Sequence, residues 1–149
     1  SITEIVPSGY RLTALTCSNG SATSLATATA TVSVAAGENV TCIFTDTRQG
    51  SITITKRISG DVTATFEFTV PASLDASGRI TLAPPIGTGT ESRTFTDVAP
   101  GTYRVAELAP PAGWLFTGVT CNGPAVIDAG TRSATIDLAA GGAREIFFL

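Results

Sequence analysis

Histidine and methionine are absent, lysine and tryptophan each occur once, and charged residues make up 14% of the 149 positions. Without histidine, the commonest metal ligand and the usual general base at neutral pH are missing. The net charge of −3 is small and no lysine/arginine cluster occurs. Neither nucleic acid nor an acidic membrane face is therefore an expected partner. No apolar run approaches the roughly 20 residues of a membrane span, and the N-terminus lacks the basic-then-apolar form of a secretory signal. The spacings CxxC, HExxH and GxSxG are missing, as are phosphate-loop and dinucleotide-binding motifs. Zinc, a cofactor and a conventional enzyme are not expected on these grounds. Asp75, Asp97, Asp128 and Asp137 are scattered without calcium-loop spacing.

What the sequence does have is alternation. Apolar residues make up 43% of the chain, enough for a packed fold. TATATVSV, SITITKRI, ATFEFTV, RTFTDV, TYRVAEL and SATIDLA all repeat with period two and favour Thr, Val and Ile, the residue types of pleated strands. Turn signals separate the runs, among them Pro7-Ser8-Gly9, Ser18-Asn19-Gly20, Ser59-Gly60-Asp61, Pro100-Gly101 and Pro110-Pro111-Ala112-Gly113. No amphipathic helix is visible. Many short strands with a turn about every ten residues predict an all-β antiparallel sandwich.

The chain also repeats itself. ITEIVPSGYRLTALTCSNG parallels RVAELAPPAGWLFTGVTCNG, aligning Glu4 with Glu107, Pro7 with Pro110 and, after a one-residue insertion, Cys17 with Cys121. TATVSVAAG then parallels SATIDLAAG, with Gly37 against Gly141 and Phe44 against Phe148. The period of about 103 residues suits a β-sandwich module. Residues 50–149 read as one nearly complete module and residues 1–49 as the C-terminal half of another, joined by the short hinge Thr47-Arg48-Gln49-Gly50. Half a sandwich leaves an apolar face and open edges. The expected partners are therefore adjacent modules or neighbouring copies that complete residues 1–49.

Cys17 and Cys42 each sit in an apolar, threonine-containing strand pattern, and a disulfide between them implies an oxidising compartment. Two buried free thiols are the alternative. By the repeat spacing Cys121 faces Ile146 and stays unpaired, either buried and inert or joined to another chain. Asn19-Gly20-Ser21 and Asn39-Val40-Thr41 fit the glycosylation sequon, a pattern common by chance in threonine-rich chains. Trp114 aligns with Tyr10 and reads as a core residue before a ligand platform.

Strand alternation puts several charges inward. Lys56 shares a face with Ile52 and Ile54, Glu107 with Tyr103 and Val105, Glu4 with Ile2, and Asp46 with Phe44. Inward charges among apolar residues need partners. At GSITITKRISGD, PGTYRVAELAPPAGW and VTCIFTDT the chain resembles the Cna B-type and SpaA-like (prealbumin-like, transthyretin-like) repeats of bacterial cell-surface proteins and pilins. The resemblance covers nearly the whole chain. It implies immunoglobulin-like, transthyretin-type sandwich modules in tandem and an extracellular, cell-surface location. It also implies that a first-strand lysine condenses with an Asn or Asp on the last strand while a mid-strand Glu carries the proton. Lys56 would then be the amine and Glu107 the acid of the complete module, with Glu4 the acid and Asp46 the acceptor of the half-module. In an apolar setting an amine tends to its neutral, nucleophilic form and a carboxyl to its protonated form, so the chemistry is coherent.

The sequence departs from the family pattern at the acceptor. Projecting Asp46 by the repeat spacing lands at position 150, one past Leu149, and the half-module holds no lysine. Lys56 then either forms a buried salt bridge with Glu107 or reacts with an acceptor from a longer protein or a neighbouring chain. The expected function is mechanical: a structural repeat of an extracellular stalk or filament, with no activity beyond single-turnover crosslinking. The competing expectation is an adhesive module that binds a host protein or carbohydrate around Trp114.

Overall fold

The structure is a computed structural model describing residues 1–149, and every regular element in it is a strand. The chain divides into two compact units, Ser1–Gln49 and Gly50–Leu149.

The first unit contains β1 (Ile2–Thr3), β2 (Tyr10–Cys17), β3 (Ala22–Ser24), β4 (Thr29–Thr31) and β5 (Cys42–Arg48). They form a three-stranded sheet in the order β1-β4-β3 and a two-stranded sheet β2-β5. Its core is small: Leu12, Leu15, Ala28 and Ala30 are buried, and Val6, Val32, Phe44 and the two cysteines pack around them.

The second unit contains β6 (Gly50–Arg57), β7 (Phe66–Thr69), β8 (Arg79–Leu82), β9 (Thr90–Val98), β10 (Gly101–Glu107), β11 (Val119–Cys121), β12 (Ala125–Asp128), β13 (Ser133–Leu138) and β14 (Ala143–Phe148). A five-stranded sheet, β12-β13-β10-β7-β8, faces a four-stranded one, β11-β14-β6-β9. Period-two alternation turns Phe66, Phe68, Ile80, Leu82, Val105 and Ile136 of the first sheet inward, against Ile52, Ile54, Ile146 and Phe148 of the second. Phe68 and Phe148 meet edge-to-face across the core with ring centroids 5.0 Å apart. One pairing departs from the antiparallel expectation: β14 runs parallel to β6, from Ala143 beside Ser51 to Phe148 beside Lys56.

The sequence repeat is reproduced in the strand pairing. Ile2 and Thr3 face Ala30 and Thr29 as Val105 and Ala106 face Ala134 and Ser133. Leu15, Thr16 and Cys17 face Phe44, Ile43 and Cys42 as Val119, Thr120 and Cys121 face Phe148, Phe147 and Ile146. Even the backbone at the β1–β4 and β10–β13 ends agrees. Glu4 N–H donates to the Ala28 carbonyl and Glu107 N–H to the Arg132 carbonyl, each at 2.9 Å. Ala28 and Arg132 hold matching positive φ values of 48° and 49°. The proline alignment needs correction. Tyr10 N–H bonds to the Pro7 carbonyl and Trp114 N–H to that of Pro111. Pro7 therefore corresponds to Pro111 rather than Pro110, and the inserted residue lies between Glu107 and that turn. Nothing in the first unit corresponds to β6–β9 of the second.

Candidate functional site

Lys56 is delivered by β6. With Ile52 and Ile54 turned inward, the same alternation carries the lysine into the core, where it is 2% exposed. Glu107 closes β10 on the facing sheet and is 1% exposed. Lys56 Nζ donates to both Glu107 carboxylate oxygens at 3.1 Å and stands 4.5 Å from the centre of the Phe66 ring. Trp114 abuts that ring edge-on, 5.5 Å away. Arg132 Nε donates to the main-chain carbonyl of Glu107 at 3.2 Å, which fixes the end of the strand.

Burial pushes the Glu107 carboxyl above the usual glutamate range, and the nearby positive charges of Lys56 and Arg132 only partly offset that loss of water. Lys56 also lines a cleft of about 520 Å³, together with Arg57, Ser59, Trp114, Thr117 and Leu149, among others. No Asn, Gln or Asp side chain is hydrogen-bonded to the pair. The arrangement holds a primary amine against a carboxyl of raised proton affinity in a dry core. Chemically it is either a static ion pair or a poised amine with an adjacent proton carrier.

The structure brings the other two predicted carboxyls together in the first unit. Glu4 follows β1 and Asp46 lies on β5 opposite Leu12. Neither carboxyl has a cationic partner. Oε2 of Glu4 and Oδ1 of Asp46 are shielded from solvent with no hydrogen-bond partner. The Glu4 carboxyl is raised, first by loss of water around it and then by the negative charge of Asp46. The four predicted site residues thus form two pairs, one in each unit.

Cys17 and Cys42 form a disulfide directly across the β2–β5 ladder. Cys121 is a free, half-buried thiol facing Ile146. Burial pushes its thiol up, against the opposing effect of the Arg144 charge. No cluster of three or more Cys, Asp or Glu side chains is placed to hold a metal ion, and no helix is long and apolar enough to cross a membrane.

The model of a family described as a prealbumin-like fold domain (SpaA_4) matches residues 1–48 and 52–146. The chain belongs to this family. A bacterial adhesin from Mobiluncus mulieris "containing intramolecular disulfide, isopeptide, and ester bond cross-links" is similar in structure at 17% sequence identity, with a TM-score of 0.52 over 72% of this chain. The chain spans 42% of that adhesin's length. That likeness shows the prealbumin-like fold alone. A search of curated proteins finds no match.

Within this prealbumin-like fold, several site neighbours escape the sequence reading. Phe66 shares its inward face with Phe68, and alternation shows that much, but not that its ring flanks the lysine. Arg132 belongs to a turn with positive φ, for which a non-glycine residue gives no sequence signal.

Proposed function

We propose that this chain is a structural module of an extracellular bacterial surface stalk or filament, built to carry load along its strands. The family and the disulfide fit a surface structural or adhesive module. The observation that carries the structural reading is the parallel pairing of β6, the first strand of the second unit, with β14, its last. Tension applied at Gly50 and Leu149 pulls the two strands in opposite directions along their axes. All six paired positions are then loaded together instead of opening one at a time. The Lys56–Glu107 pair ties β6 to β10 of the opposite sheet beside the same ladder.

Amide formation is the chemical extension of this role. The Lys56 amine attacks the side-chain carbonyl of an Asn or Asp acceptor supplied by a longer protein or by a neighbouring copy. Glu107 takes the amine proton and returns it to the departing ammonia or water. Each bond formed lowers the summed mass of its participants by about 17 or 18 Da, the ammonia or water lost on condensation. Electron microscopy of the native surface material tests the structural reading: regular stalks or fibres containing this chain support it, and dispersed monomers that bind a ligand oppose it.

A second reading, adhesion, draws on the cleft beside Trp114 and on Leu115, which is 86% exposed next to it. The packing of Trp114 against Phe66 favours a core role for the indole.

A further inference from the structure

The five-stranded sheet of the second unit ends on β12, whose outer edge pairs with no strand. Sheet edges are usually guarded by charge, proline or a bulge. The edge strand β9 carries Glu91 and Arg93 and is bulged at Thr96 and Asp97, where Asp97 has a φ of 55°. The edge strand β8 carries Arg79, paired with Glu67, and runs into Pro84 and Pro85. β12 reads Ala125-Val126-Ile127-Asp128. Val126 is 72% exposed and Ile127 43%. The one charge, the Asp128 carboxylate, turns back to accept from the Gly130 and Thr131 amides and the Thr131 hydroxyl. The corresponding strand of the first unit is β3. Ala22 and Thr23 stand there where β12 has Val126 and Ile127, opposite Thr31 and Ala30 as these are opposite Thr135 and Ala134. The fold therefore does not need branched apolar side chains at this edge, and packing does not cover them.

The phase of the ladder shows which backbone groups are free. Glu107 N–H donates to the Arg132 carbonyl. Along β13, Ala134 and Ile136 accordingly turn their backbone groups to β10, and Ser133 and Thr135 turn theirs to β12. Val126 and Asp128, opposite Thr135 and Ser133, use theirs on β13. Ala125 and Ile127 direct theirs out of the sheet.

We infer that β12 is a self-pairing edge: β12 of a second copy adds to it antiparallel, across a two-fold axis at Val126. The edge is complementary to itself in that register. Ala125 of each copy stands opposite Ile127 of the other, so the outward amides and carbonyls meet. Ala125 and Ile127 lie on the core side of the sheet, as their partners Ile136 and Ala134 do, so a small side chain faces a large one. Val126 meets its own copy on the opposite face. The two Asp128 residues fall at opposite ends of the paired segment, about 14 Å apart along the strands, where salt screens them. Centring the axis on Ile127 instead would set Val126 against Asp128 and bring the two aspartates closer. A few hydrogen bonds and a narrow apolar strip are far less than a stable interface buries, so the contact is weak between free molecules and counts where many copies are held side by side. It rests on β12 alone and stands whether or not the second unit carries load.

The test uses the full chain between about 10 μM and about 1 mM, the range of a weak contact. Sedimentation should show dimers forming as concentration rises. Over the same range, amide exchange read by NMR should slow several-fold at Ala125 and Ile127 and stay unchanged at Val126 and Asp128, which are already bonded to β13. V126K, with its fold checked by unchanged β10 and β14 amides, sets two ammonium groups against each other at the axis and should abolish the dimer. In a C121S background with oxidised glutathione, V126C should form an intermolecular disulfide at least about tenfold faster than V62C, because directly opposed residues of a non-hydrogen-bonded pair lie within disulfide reach. Position 62 is comparably exposed, at 62%. A monomer throughout the range, a dimer that survives V126K, new protection at β3, β8 or β9 instead of β12, or equal crosslinking at the two positions overturns the inference.

Discussion

Lys56 and Glu107 form a two-pronged ion pair at 3.1 Å inside an apolar core, with no more than 2% of either side chain exposed. Burying both charges costs several kcal/mol per ion, and each is tolerated because the other is there. Breaking the pair from one side should therefore do more harm than removing it whole. E107A leaves a buried ammonium without a partner and should lower unfolding stability by about 3–5 kcal/mol. The double variant K56M/E107L should recover most of that loss. Urea denaturation of the three proteins checks the order, and a double variant as unstable as E107A would contradict it.

The raised Glu107 carboxyl sets the sign of a pH effect. A group whose folded pKa lies above its unfolded value binds its proton more tightly when folded. Its contribution to stability is then greatest below the unfolded pKa, near 4.3 for a glutamate. It falls as pH rises from there to the folded pKa and is level beyond. Relative to E107Q, the unsubstituted protein should lose stability over that window. In K56M, where no ammonium opposes the effect of burial, the loss should be larger. Urea midpoints measured between acid and neutral pH read both trends.

The Asp75 and Asp128 carboxyls act with the opposite sign. Ser77 donates to Asp75, and Thr131 and Gly130 donate to Asp128; these bonds hold both carboxyls below the usual aspartate range. Their contribution is present above the unfolded pKa and disappears as pH falls through the folded one. Variants D75N and D128N should flatten the acid limb of the stability curve and leave the window above it unchanged, as read by the same midpoints.

The Cys17–Cys42 bond closes a loop of 25 residues in the unit with the smaller core. Chain entropy alone makes it worth about 3.5 kcal/mol. Reduction, or the C17S/C42S variant, should unfold residues 1–49 first while amides of β6, β10 and β14 stay protected. Hydrogen exchange under reducing and non-reducing conditions separates the two units. Cys121 supplies an internal control: with burial pushing its thiol up, native-state alkylation should be slow and should accelerate on unfolding.

Much of this was readable in the residues, because strands have a period of two. The inward set Ile52, Ile54, Lys56 follows from alternation, and the prealbumin-like class from the family resemblance at the quoted motifs. Two cysteines in threonine-containing strand patterns make a Cys17–Cys42 disulfide the first expectation, with two buried thiols as the alternative, and the structure has the disulfide. What alternation does not carry is the identity of neighbours across the core. It puts Phe66 inward without placing it over Lys56, and it gives no direction to the β6–β14 pairing. The proline alignment failed because Pro110 and Pro111 are adjacent and equally good matches in sequence, and only the turn hydrogen bond from Trp114 to Pro111 tells them apart.

The load-bearing claim is tested most directly by pulling single molecules of the full chain through handles placed at Gly50 and Leu149, and comparing them with molecules pulled at Arg57 and Thr90, which sit side by side at one end of the β6–β9 ladder. The parallel β6–β14 ladder predicts one cooperative rupture in the first geometry, at a force several-fold above the gradual peeling of the second. Equal forces in the two geometries, or stepwise opening of β14 at low force, would contradict a module designed for tension.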